Sequence, residues 1–204
     1  MEGEAELTSW EESSLVIDRL CDQARGQNTA VTCFYFDWAA GKDQSPTWML
    51  GSLLKQMVSR MEMIPEEISR AFEEDKKVIG GRGPQLVDIV KMLQLAASLQ
   101  PTFICVDGLD ECSGAQLVRI IDSLKQILDK SPATRIFLSG RFHIKAQVET
   151  ALVGQVVNVS IAPTESDVTR YIRAKLREDE TPDAMDEILQ ADILAKVPPR
   201  ISQM

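Results

Sequence analysis

The sequence predicts an α/β fold in which a parallel sheet lies between layers of helices, and three observations carry that expectation. Strand-length runs rich in β-branched and aromatic residues alternate with segments of helical period, the pattern of parallel βαβ units. One such run, Phe103-Ile104-Cys105-Val106, ends abruptly in the acids Asp107, Asp110 and Glu111, at the strand end where open α/β sheets bind ligands. The chain has 204 residues, 44% hydrophobic and 26% charged, which suits one globular domain with room for a small appendage.

Each element has its own signal. Ser13 to Arg25 places Leu15, Val16, Leu20 and Ala24 at helical spacing, and Gly26-Gln27-Asn28 supplies the stop. Ala30 to Phe36 has strand composition. Leu50, Leu53, Leu54, Met57, Val58 and Met61 then form one apolar stripe of a helix that Ser45-Pro46 caps. Pro65 to Val78 reads as a helix with an acidic face of Glu66, Glu67, Glu73, Glu74 and Asp75, broken by Gly80-Gly81-Arg82-Gly83-Pro84. Gln85 to Leu99 reads as a helix, Thr102 to Val106 as the acid-tipped strand and Gln116 to Leu128 as an amphipathic helix. Ile136 to Leu138 is a buried strand ending in Ser139-Gly140-Arg141, and Val153 to Ile161 is expected as the last strand. Thr164-Glu165-Ser166-Asp167 resembles a capping box opening a helix with Val168, Tyr171, Ile172 and Leu176 inward.

Composition excludes several function classes. No apolar stretch approaches the roughly 20 residues of a membrane helix, and the first residues lack the basic start and apolar core of a secretory signal, so a cytoplasmic protein is expected. A net charge of −9 argues against nucleic acid as a partner, because a backbone binder needs a basic face. Cys21, Cys33, Cys105 and Cys112 form no C-x-x-C pair and read as free, buried thiols. His143, the single histidine, reads as a surface residue at a helix start, and one histidine leaves little scope for a His-based zinc site or a Ser/His/Asp triad. The remaining chemistry belongs to carboxylates, arginines and backbone.

Five pieces occur in a telling order: Phe34-Tyr35-Phe36, the helix containing Ser52-Leu53-Leu54-Lys55-Gln56-Met57, Val106-Asp107-Gly108-Leu109-Asp110-Glu111, Ser139-Gly140-Arg141, and Ile161 to Ile172. Together they resemble the NACHT-type NTPase domain of STAND proteins, most of all the nephrocystin-3-like N-terminal domains of fungal proteins. The resemblance runs from about Ser13 to the C-terminus. It implies a three-layer parallel sheet of P-loop NTPase type, extended by C-terminal helices, with Mg-ATP as the family's cofactor. By resemblance, Asp107 matches the Walker B acid that holds Mg²⁺. Asp110 and Glu111 match acids that help orient the attacking water, and Arg141 matches a sensor whose guanidinium contacts the γ-phosphate.

The phosphate loop G-x-x-x-x-G-K-[ST] occurs nowhere in the chain. If Ser13 to Asp18 is aligned with the family's first helix, the loop's glycine, lysine and threonine fall on Thr8, Ser9 and Trp10, and only Gly3 meets the motif's first glycine. Glu2, Glu4, Glu6, Glu11 and Glu12 surround the place where an electropositive nest is needed. Gly80-Gly81-Arg82-Gly83 reads as an interhelical turn and Gly41-Lys42-Asp43 as a loop. The family's first strand, which lies inside the sheet, also has no counterpart. Each buried backbone group left unpaired costs about 1–3 kcal/mol against a total stability of roughly 5–15 kcal/mol. The expectation is therefore that Ile136–Leu138 pairs directly with Val156–Val159, or that a partner fills the gap.

Three segments follow: an acidic N-terminal stretch (1–12), a partial α/β core (13–162) and the start of a helical subdomain (163–204). The chain looks short at both ends by comparison with the resemblance. Two function classes compete. One is a signalling or protein-interaction module, or remnant, unable to bind or hydrolyse ATP alone, whose partners are proteins or the rest of a longer multidomain protein. The other is an ATP-binding signal-transduction switch that uses the Walker B and sensor residues. A carboxylate-based phosphohydrolase of another fold fits less well, because the Asp107–Asp110 spacing lacks a close D-x-D pair.

Overall fold

The structure is a computed structural model, and it describes residues 9–37, 44–77, 83–154, 156–161, 164–178 and 186–201. The chain divides into two compact units, and the larger contains the sheet, from Ser9 to Val156. Its elements run α1 (Ser9–Ala24), β1 (Ala30–Tyr35), α2 (Pro46–Val58), α3 (Glu66–Lys77), α4 (Leu86–Ser98), β2 (Thr102–Asp107), α5 (Gly114–Lys130), β3 (Thr134–Leu138) and α6 (Lys145–Ala151). The sheet has the order β1-β2-β3, parallel throughout. Register places Cys33 beside Cys105 and Tyr35 beside Asp107 on one side, and Ile104 beside Ile136 and Val106 beside Leu138 on the other.

Alternation along the strands sorts the side chains into two layers. Phe34, Phe36, Ile104 and Val106 face the main core, with Ile136 and Leu138 at its margin, and α2, α4 and α5 cover them. Here α2 buries Met49, Leu50, Leu53, Leu54 and Met57, while α5 buries Leu117, Ile120, Ile121, Leu124 and Ile127. Each fully buried Leu or Ile contributes roughly 1.5–3 kcal/mol, so these two stripes supply much of the drive to fold. Trp48, half in solvent, packs edge-on at 5.3 Å against Phe34, which meets Phe36 in the same manner at 4.9 Å. On the opposite face α1 packs over β1 and β2 and buries Ile17.

The caps agree with the sequence. Ser45 Oγ accepts the Trp48 N–H at 3.2 Å, with Pro46 in the first turn. The stripe stops sooner than its spacing predicts, since α2 ends at Val58 and Met61 lies beyond it. A cap that the sequence reading missed starts α5 at Gly114, two residues before the predicted Gln116: the Ser113 N–H donates to Gln116 Oε1 at 3.1 Å. Glu74, Asp75 and Val78, Gly80-Gly81-Arg82 and Gly41-Lys42-Asp43 lie outside the residues whose side chains or backbone are described.

The predicted strand Val153–Ile161 is not seen. Val153 and Gly154 belong to the turn that closes α6, and Val156 to Ile161 have no strand assignment. Hence the expected pairing of Ile136–Leu138 with Val156–Val159 does not occur, and β2 is the only described strand beside β3. Strand composition makes a strand only where the segment joins a ladder, and Val156 to Ile161 join none among the described residues. The second unit carries α7 (Glu165–Glu178) and α8 (Glu187–Ile201), which pack on each other. The capping box opens α7 as predicted: Asp167 Oδ2 accepts the Thr164 N–H at 2.9 Å, and Thr164 Oγ1 accepts the Asp167 N–H at 3.2 Å. These bonds from Thr164 hold the Asp167 carboxyl below its ordinary range. Val168 is buried and Ile172 and Leu176 are half-buried, but Tyr171 is exposed, with Lys175 Nζ 5.9 Å from its ring centre.

The outer edge of β1 is closed by a side chain. Gln56 of α2 presents its carboxamide to Cys33, accepting the backbone N–H at 2.9 Å and donating to the C=O at 2.8 Å, as a neighbouring strand would. Replacing it, Gln56→Leu, leaves both partly buried backbone groups unpaired, and chemical denaturation is expected to show a loss of about 1–3 kcal/mol. Unchanged stability would mean that water satisfies this edge.

Candidate functional site

The site forms where the ends of β2 and β3 meet. After Asp107 the chain turns at Gly108, whose φ of 67° and ψ of 34° are left-handed and suit glycine. A Cβ there would also stand 3.2 Å from the Phe36 carbonyl oxygen. Leu109 then plugs fully into the core and starts a single 3₁₀ turn, Leu109–Glu111. This plug explains why one residue separates Gly108 from the acid pair: the buried leucine fixes the turn, and Asp110 and Glu111 emerge toward β3.

The β3 end answers with Ser139, Gly140 and Arg141. Ser139 continues the ladder, its N–H donating to the Val106 C=O at 3.0 Å and its C=O accepting the Leu109 N–H at 3.0 Å. Its hydroxyl donates to Asp107 Oδ1 and accepts the Gly108 N–H at 3.2 Å. Asp110, with a side chain only 6% exposed, accepts the Arg141 backbone N–H at 3.1 Å through Oδ1 and faces Arg141 Nε at 3.3 Å through Oδ2. Glu111 Oε1 lies 3.7 Å from Arg141 Nη2. All four residues expected by resemblance therefore gather at one end of the sheet. The arrangement among them was not foreseen, because the guanidinium folds back onto Asp110 and Glu111.

Two residues to which the sequence reading assigned no role complete the arrangement. Ser139 joins Asp107 to the Gly108 backbone, and its signal was a hydroxyl two positions before Arg141, on the strand beside Asp107. Gly140 admits the carboxylate: an added Cβ would lie 2.6 Å from Ile144 Cδ1 and 3.2 Å from Asp110 Oδ1. His143 is exposed in the short 3₁₀ turn before α6, as predicted.

The chemistry open to the cluster is limited. Among the described residues, no group of three or more His, Cys, Asp or Glu side chains is arranged to hold a metal ion. Asp110 and Glu111 are engaged by a cation of the chain, and Asp107 is the acid left at the strand tip, bonded by the Ser139 hydroxyl. Mg²⁺ is ordinarily held by one or two carboxylates together with substrate phosphates, and here no phosphate-loop lysine or hydroxyl accompanies the single acid. The residues present do not fit a Mg²⁺–triphosphate. Thiol chemistry is also disfavoured. All four cysteines are free, but only Cys105 is fully buried, the other three being intermediate. Burial raises the Cys33 and Cys112 thiols and pushes Cys105 up to about 12, where the thiolate is scarce.

No described helix is long and apolar enough to cross a membrane. Gly140→Ala should disturb both Ile144 and the Asp110 carboxylate, with an expected loss of about 1–3 kcal/mol in denaturant unfolding. A neutral substitution would mean that Ile144 rotates away without moving Asp110.

No curated protein and no solved structure matches the chain. A model of one family does match, described as nephrocystin 3, N-terminal, over residues 12–141. The matched stretch begins in α1, contains the whole sheet and ends on Arg141, the residue that closes the cluster just described. That is well over half of the sequence, and the chain belongs to the nephrocystin 3 N-terminal domain family.

Proposed function

We propose that this polypeptide is a NACHT-type member of its family, with the NTPase fold and an incomplete nucleotide site, and that it acts as a signalling or protein-interaction module and not as an ATPase. One observation carries the reading: Arg141, which by resemblance would contact a γ-phosphate, is bonded to Asp110 and Glu111. In that position it balances the chain's own acids. A triphosphate would have to compete with Asp110 for this guanidinium, and the acidic residues Glu2, Glu4, Glu6, Glu11 and Glu12 near the start of the chain offer it no compensating cation.

A second reading, the ATP-binding switch, draws on the same cluster. Asp107, Asp110, Glu111 and Arg141 stand at the carboxyl end of adjacent parallel strands, where a Mg²⁺ acid, water-orienting acids and a sensor would belong. Their roles as Mg²⁺ ligand (Asp107), catalytic acids (Asp110, Glu111) and γ-phosphate contact (Arg141) rest on resemblance. Proteins, or the remainder of a longer multidomain chain, are the proposed partners, and nucleic acid is not among them.

Calorimetric titration with Mg-ATP separates the readings. The module reading predicts no binding tighter than about 1 mM. Affinity in the low micromolar range that Asp107→Ala abolishes would establish the switch instead.

A further inference from the structure

The helix α7 carries an arginine ridge. Val168, Ile172 and Leu176, each one turn from the next, are buried or half-buried and form its covered side. At about 3.6 residues per turn, Arg170, Arg173 and Arg177 fall on the opposite side, and all three are exposed. Together with Glu165, Ser166 and Thr169 they line a shallow groove of about 380 Å³ that runs along this one helix.

Its charges are arranged unlike those of the other helices. Arg25, Arg70, Lys91, Lys145 and Lys196 each meet an acid one helical turn away. Arg173 has Thr169, Arg170, Leu176 and Arg177 at those positions, so its charged neighbours along the ridge are like charges, which repel and weaken a helix. Neither Arg173 nor Arg177 meets a carboxylate among the described residues, whereas Arg170 stands near Asp167. Lys175 and Arg177 suit the carboxyl end of the helix, but a cation at Arg173, in its interior, draws less from that end. We propose that this ridge is a docking surface for a carboxylate-rich helical segment of a partner protein, whose acids, spaced one turn apart, pair with Arg173 and Arg177 while Arg170 extends the array.

Charge and spacing select the occupant. The ridge is built of arginine, whose planar fork pairs with carboxylates through two parallel hydrogen bonds. From Arg170 to Arg177 the helix rises roughly 10 Å, so the guanidinia form a line and not a nest around one compact anion. A row of acids on a second helix repeats at the same rise and matches that line. A lipid surface fits less well, because the apolar residues of α7 are on its covered side and leave none beside the arginines to enter a bilayer. A nucleic-acid backbone would meet the net charge of −9 with only this short ridge to offset it. The proposal gives the interaction-module reading a partner chemistry and does not depend on it, because a chain that bound Mg-ATP would carry the same ridge.

Fluorescence anisotropy tests it, with the full chain titrated into a labelled helical peptide of Glu-Ala-Ala-Ala repeats at low ionic strength. Saturable binding is expected, weakened by added salt and weakened at least about tenfold by the double charge reversal Arg173→Glu with Arg177→Glu. Circular dichroism checks that the variant folds. If it does not, Arg173→Gln with Arg177→Gln removes the charges alone and should weaken binding in the same direction. No saturable binding up to about 1 mM, or an affinity that neither substitution changes, overturns the docking surface. Single-stranded DNA or anionic lipid vesicles held more tightly than the peptide through the same arginines would overturn the choice of partner.

Discussion

The tie between the ends of β2 and β3 organises the site. Two carboxylates that emerge from one strand end find their donors on the next: Asp107 the Ser139 hydroxyl, and Asp110 the backbone and guanidinium of Arg141. Hydrogen bonds to ionised acceptors are stronger than neutral ones, and Asp110 is almost fully enclosed, so the loss of its donors would strand a buried charge. Leu109 and Gly140 exist in this scheme to permit it, one by anchoring the turn in the core and the other by leaving space for the carboxylate. The functional reading grows from the same tie. In the proposed reading, an arginine held by the chain's own acids joins the two strand ends and is drawn away from a phosphate.

The described sheet has three parallel strands and two outer edges. Its central strand, β2, is flanked on both sides and carries Ile104, Cys105 and Val106 fully buried. Gln56 substitutes for a neighbour at β1, a local remedy that needs only one long amide reaching from α2. At β3 the described residues supply no such remedy. The main core, where α2, α4 and α5 pack on Phe34, Ile104 and Val106, takes in Ile136 and Leu138 of β3 as partly buried neighbours.

Much of the architecture was legible because its signals are local. The stripe Leu50-Leu53-Leu54-Met57, the Ser45-Pro46 start and the Thr164–Asp167 box each report geometry within a few residues, and each is present in the structure. The gathering of Asp107, Asp110, Glu111 and Arg141 was also foreseen, but through family resemblance and not through any pattern in the chain. What remained hidden is non-local. Val153–Ile161 has the composition of a strand, yet strand formation is decided by an available neighbour, and composition does not report one. Ser139 and Gln56 are small or neutral residues whose roles arise only when segments 32 and 23 positions apart come together. The direction of Arg141, toward acids of its own chain, likewise depends on the depth at which Leu109 seats the turn.

Amide hydrogen exchange at the strand ends tests the central claim most directly. The tie requires that the Gly108, Leu109 and Arg141 amides, bonded to Ser139 Oγ, the Ser139 carbonyl and Asp110 Oδ1, be protected well beyond ordinary loop amides. Asp110→Ala should release the Arg141 amide while leaving the interior of β2 protected. An Arg141 amide that exchanges at the rate of an unstructured peptide in the native chain would contradict the account, because the two strand ends would then not be joined.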